Sequence, residues 1–214
     1  MKLLFLSTMI IVTAAISAQE AKPEVENEWV RVVRESQSPH VTTPMRAHPP
    51  QVVVYLSDAN ERIIGSNGKT KTIRQKHGDV TYFDAGTYAK ENVSNLTIHE
   101  VVVELKNPSG RSKSTPVALD PVKLDPKHHH IKLENDRVRV IDTVLVPHLK
   151  SPEHEHPHYV VVYLTELHTT QTLPDGRVVD NPRAAGEVAW RDAVKHVTEN
   201  VGARTAEEIQ IELK

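Results

Sequence analysis

The chain has no cysteine. Disulfides and lipid attachment through a cysteine are therefore both excluded. It also lacks an excess of charge of either sign: 26 Lys and Arg stand against 28 Asp and Glu, a formal net charge of -2. That balance gives no reason to expect a nucleic acid or an anionic membrane surface as partner. Beyond the first 18 residues no apolar run is long enough to span a bilayer, which takes roughly 20 residues. Convincing amphipathic helices are missing too, the nearest being Arg191 to Glu199, whose valines suit strands as well.

What is present begins at the N-terminus. Met1-Lys2 is followed by an apolar run from Leu3 to Ala15, broken only by Ser7, Thr8 and Thr13, and then by Ile16-Ser17-Ala18. A short charged start, an apolar core and small residues at the end describe a signal peptide over residues 1–18, so the chain is expected to be exported, to a periplasm or beyond the cell. The remaining 196 residues (214 minus 18) allow one or two domains and no membrane span.

The remainder is an internal repeat. With an offset of 108, Glu26-Asn27 becomes Glu134-Asn135, and Val30-Arg31-Val32 becomes Val138-Arg139-Val140. Likewise His48-Pro49 becomes His156-Pro157, the VVVYL run from Val52 to Leu56 becomes the run from Val160 to Leu164, and Glu104-Leu105-Lys106 becomes Glu212-Leu213-Lys214. From Glu26 to Lys106, 28 of 81 positions match without a gap. The chain is a duplication: an N-terminal repeat over 19–106, a Pro-, Ser- and Lys-rich connector over 107–133, and a C-terminal repeat over 134–214.

Local signals in both repeats are those of strands. The valine runs are β-branched and of strand length, and Ile209, Ile211 and Leu213 alternate with polar neighbours as in a half-buried strand. Asn67-Gly68 and Asp175-Gly176, at equivalent positions, predict hairpin turns, and Gly78 and Gly186 predict a second turn. Tyr55 and Tyr163 are expected to pack inside barrels, and Tyr82 and Trp190 to fill the two cores.

The second repeat carries the chemistry. His154, His156 and His158 lie two residues apart, just before the strand run of Val160 to Val162. Residues two apart on a strand point the same way, so His154 and His156 converge, while Pro157 is expected to turn His158 elsewhere. Imidazole is a ligand for zinc, copper, iron and nickel, but two histidines rarely hold a metal, and His196 is the best candidate for a third. The His128-His129-His130 cluster reads as a polar edge entering the first strand of the second repeat. His40 and His148 recur in both repeats and suggest a structural role near a strand end.

His154-Glu155-His156 resembles the first sequence motif of the cupin superfamily, and Gly186 to Asn200, with His196 and Asn200 at the family's spacing, resembles the second. The resemblance covers nearly the whole mature chain. It implies an all-β bicupin, two tandem jelly-roll barrels (double-stranded β-helices). It departs from the pattern where the expected acidic ligand is Val161, and where Asp192 and Val194 replace a proline and a glycine. The three histidines left resemble the three-histidine sites of thiol dioxygenases in the same superfamily, which implies one divalent transition metal (Fe, Mn, Zn, Ni or Cu) with open positions. In the first repeat the equivalent positions hold Arg46, His48 and Tyr88. Arginine stays protonated and cannot ligate, so that repeat is expected to keep its barrel without a metal.

Two functions follow from this reading. One is a metal-dependent, oxygenase-type enzyme acting on a small organic anion. The other is a binding or sensing module whose metal is structural or vestigial. Three neutral ligands leave the metal's charge uncompensated, which favours an anionic small-molecule partner. Self-association into a homo-oligomer is left open.

Overall fold

The computed structural model describes residues 22–106 and 117–214. The segment read as a signal peptide lies outside them, as do residues 107–116 of the connector. The first repeat contains β1 (Val25–Glu26), β2 (Val30–Gln37), β3 (Arg46–His48), β4 (Gln51–Tyr55), β5 (Ala59–Gly65), β6 (Thr70–Gln75), β7 (Val80–Phe83), β8 (Gly86–Asn92) and β9 (Ile98–Leu105). A one-turn helix, α1 (Pro121–Leu124), follows. The second repeat contains β10 (His129–Glu134), β11 (Val138–Leu145), β12 (His154–His156), β13 (Tyr159–Tyr163), β14 (Leu167–Thr172), β15 (Val178–Arg183), β16 (Val188–Arg191), β17 (Val194–Asn200) and β18 (Ala206–Leu213). From β2 and β11 onward the starts of equivalent strands differ by 108 throughout (138 minus 30, 206 minus 98). The duplication seen in the residues is thus a duplication of strands.

Each repeat makes two sheets. In the first, a five-stranded sheet runs β1-β2-β9-β4-β7 and a four-stranded one β3-β8-β5-β6; in the second the orders are β10-β11-β18-β13-β16 and β12-β17-β14-β15. All pairings are antiparallel. Two facing sheets of these orders, in each half, are the jelly-roll arrangement expected. The Asn67-Gly68 and Asp175-Gly176 hairpins connect β5 to β6 and β14 to β15, with both glycines at positive φ. His40 and His148 also sit at positive φ, 59° and 60°, in the turns after β2 and β11, which explains their recurrence as a backbone matter.

The two five-stranded sheets pack on each other. Val52, Val54, Val101 and Val103 from one and Val160, Val162, Ile209 and Ile211 from the other form a single buried cluster. Each such side chain contributes about 1.5–3 kcal/mol by leaving water. Tyr82 and Trp190 pack against this shared cluster, so they seal the joint between the repeats rather than filling separate cores. The barrel interiors hold different residues: Val33, Val53 and Tyr55 in the first, Tyr159, Val161 and Tyr163 in the second.

This packing corrects a second expectation. β18 is buried on both faces: Ile209, Ile211 and Leu213 face the first repeat, and Gln210 and Glu212 are 5% and 2% exposed. The alternation that reads as half-buried separates an apolar joint from a polar barrel interior. The described part of the connector carries α1 and the start of β10, an edge strand paired with β11. Of residues 191–199, the nearest approach to a helix, Arg191 ends β16 and 194–199 lie in β17.

Candidate metal centre

β12 is a three-residue strand, HEH, whose alternation turns His154 and His156 inward and leaves Glu155 between them. It pairs with β17 so that His154 stands opposite His196. Side chains directly opposite on an antiparallel pair lie on the same face, which brings the third histidine to the other two. All three are 2–3% exposed. Their ligand nitrogens lie within 4.8 Å of one another.

The nitrogens are directed individually. His154 Nδ1 donates to the Pro152 carbonyl at 2.8 Å, so its lone pair sits on Nε2. That atom is 3.1 Å from His196 Nε2. Two nitrogens bound about 2.1 Å from one ion, with an angle of 90–110° between them, would be about 3.0–3.4 Å apart. His156 Nδ1 bonds Glu212 Oε1 at 2.7 Å, while its Nε2 is buried with no hydrogen-bond partner. A buried imidazole nitrogen left without a partner is costly unless something binds it. The donor set therefore fits a divalent transition ion.

Burial lowers His154 to about 4 and His196 to about 2, and the neighbouring imidazoles add to the effect. Both are thus held in the neutral form that ligates. Glu212 behaves oppositely. Burial works to raise its carboxyl, but the hydrogen bonds from His156 and Arg139 outweigh this and hold it below the usual range. Arg139 Nε reaches Glu212 at 2.6 Å and its guanidinium also bonds Asp120 at 2.9 Å. The Asp120–Arg139–Glu212–His156 chain fixes the ring of His156, the role that outer carboxylates play for metal-bound histidines.

The other sequence candidates divide. His158 is turned out of the barrel and stacks between Trp29 and Trp190, with ring centroids at 5.0 and 5.6 Å. Asn200 Nδ2 bonds the Leu145 and Arg204 carbonyls, as Asn92 bonds those of Gln37 and Leu96, so the motif asparagine holds a turn in both repeats. Val161 lies in the interior of the second barrel, where an acidic ligand was the family expectation. Sequence reasoning missed Glu212 and His129. His129 is buried, bonds the Asp125 carbonyl through Nδ1 and tilts against His154 at 5.7 Å. The signal for Glu212 was the β18 alternation, read toward solvent.

In the first barrel the trio's positions are held by Arg46, His48 and Tyr88. Arg46 is exposed and pairs with Glu35, while His48 stacks on Tyr88 at 4.0 Å. Lys90 contacts both Glu61 and Glu100, all at most 3% exposed, and Tyr55 donates to Glu61 at 3.0 Å. A covalently attached cation occupies this interior.

No family model matches the sequence, and no curated protein matches it. Solved structures do. AerE from Microcystis aeruginosa superposes with a TM-score of 0.64 at 12% identity over 90% of this chain and 96% of that one. A single-residue variant of the B. subtilis oxalate decarboxylase gives 0.63 at 14% identity, over 86% of this chain and 69% of that one. The formate complex of Lactobacillus farciminis oxalate decarboxylase gives 0.61 at 11%, over 90% and 83%. At these identities the likeness is one of fold. With its two jelly-roll repeats joined through their five-stranded sheets, the chain has the bicupin fold.

Proposed function

We propose that this is an exported metal-binding bicupin that holds one divalent transition metal in its second barrel and binds a small organic anion there. The observation that carries the reading is the buried trio His154, His156 and His196, with ligand nitrogens within 4.8 Å and one of them, His156 Nε2, otherwise unpartnered. When bound, the ion supplies a Lewis-acidic centre with coordination positions left over. The chain's own residues do the rest: Glu212 and the Pro152 carbonyl aim two rings, and Val161, Tyr159 and Tyr163 line the interior in a low-dielectric setting. Three neutral ligands leave the full charge of the ion, which an anion offsets. The formate held by the Lactobacillus farciminis decarboxylase supports a small carboxylate as the kind of anion.

An oxygenase-type activity is the first to test. Protein loaded separately with iron(II), manganese(II) or zinc(II) is mixed with a panel of small thiols and carboxylates, and oxygen uptake and calorimetric binding are followed together. Oxygen uptake that needs both metal and anion supports an enzyme. Binding without turnover across the panel assigns the site to a binding module, and absence of binding sinks the reading.

A further inference from the structure

The duplication supplies an internal comparison for the lining of the second barrel. Subtracting 108 places Asn181, Arg183 and Arg191 on Ile73, Gln75 and Phe83. In the barrel without the histidine trio, Ile73 and Phe83 pack against the interior cluster of Val33, Val53 and Tyr55. In the barrel with the trio, the same strand positions carry an amide and two guanidiniums. At the positions of Asn181 and Arg191, the exchange of apolar for polar lining accompanies the histidine trio.

These groups are built into a constellation. Arg191 ends β16 opposite Tyr159, whose ring stacks on the His156 imidazole at 4.7 Å. Its guanidinium donates to Asn181 Oδ1 at 2.7 Å and to the Tyr163 hydroxyl at 3.2 Å. Arg183 Nε donates to the same Asn181 oxygen at 2.9 Å and lies over the Tyr163 ring. Asn181 and Tyr163 are 5% and 1% exposed, so two cations converge on one buried acceptor. Glu187 pairs with Arg183. Among the described residues Arg191 has no carboxylate at ion-pair distance. Glu208, also in this interior, accepts from Gln210; burial pushes its carboxyl up, while Gln210, His156 and Arg191 oppose the shift. The direct hydrogen-bond partners of the half-buried Arg191 guanidinium are neutral, and the carboxylates of Glu208 and Glu187 act on it only at a distance, so donors remain for a further acceptor. The guanidinium is a good receptor for a carboxylate, which its fork geometry matches with two bonds.

We propose that Arg191, braced by Asn181 and Tyr163 and flanked by Arg183, anchors a carboxylate of the small molecule that reaches the three histidines. This rests on the reading of a metal centre in the second barrel and narrows its ligand class to carboxylates. Arg191 is a binding residue, not a ligand to the ion.

The test is calorimetric titration of malonate, and of uncharged malonamide, into metal-loaded and metal-free protein. Metal content is measured on the same samples, for the wild type and for Arg191→Gln, Arg191→Lys and Arg177→Gln. Expected is malonate binding that falls at least tenfold in Arg191→Gln with metal content unchanged, partial recovery in Arg191→Lys, and wild-type binding in the exposed control Arg177→Gln. Malonamide should not bind. Metal-free protein should bind malonate more weakly but still through Arg191, so the anchor is decided even if the metal reading fails. Unchanged binding in Arg191→Gln, equal binding of malonamide, loss of metal in Arg191→Gln, or no malonate binding in either form would each overturn it.

Discussion

His156 Nδ1 and Glu212 Oε1 are 2.7 Å apart across 56 residues of sequence, joining a three-residue strand of one sheet to the last strand of the other. The bond fixes which nitrogen of His156 faces its neighbours. Replacing the carboxylate by an amide should keep the shape and lose the charge that strengthens the ring as a donor. For Glu212→Gln, metal affinity measured by competition with a chelator should fall about 10–100-fold, with secondary structure unchanged. Unaltered affinity would remove Glu212 from the site.

In the first barrel, burial pushes the Glu100 carboxyl up to about 7, with Lys90 opposing the shift and Glu61 adding to it. The folded state then keeps a proton that the unfolded chain releases near 4.5. Its contribution is complete below 4.5 and disappears as pH rises through 7. Wild type should therefore lose stability relative to Glu100→Gln as pH rises through that window. Urea denaturation of both proteins at about pH 4.5 and about pH 7.5 measures the difference. Parallel pH profiles would contradict the assignment.

Because Tyr82 and Trp190 pack against one cluster shared by both five-stranded sheets, the repeats should unfold together. Trp190→Ala should destabilise the protein by roughly 3 kcal/mol, the lower end for removing a large aromatic side chain, since Trp190 is half-buried. Fluorescence and circular dichroism should follow one denaturant transition. Two separated transitions, with only the second repeat affected, would show that the joint does not couple them.

Much of this was legible in the residues. An ungapped offset predicts equivalent strands, and strand alternation brings His154 and His156 together, because both signals are local or repeated; His196 joined them through the resemblance to the second cupin motif. What depended on topology was not. Alternating polar residues on β18 look solvent-facing until the barrel closes, when Gln210 and Glu212 prove to line its interior. His129 enters from the connector and meets His154 only because β10 pairs with β11. Tyr82 and Trp190 looked like core residues of separate barrels, since no single sequence reports that two sheets share a face. The lining exchange of Ile73 and Phe83 for Asn181 and Arg191 was visible in the repeat but had no meaning before the interior was known.

The central claim, one metal in the second barrel only, is tested most directly by elemental analysis of protein loaded with a divalent ion and freed of excess. The account predicts one equivalent per chain for wild type and for His48→Ala, and less than about a fifth of that for His154→Ala, His156→Ala and His196→Ala. Burial holds His154 and His196 neutral well below the ordinary imidazole range, so the wild-type equivalent should persist at about pH 6. Two equivalents in wild type, or full retention in His196→Ala, would contradict it.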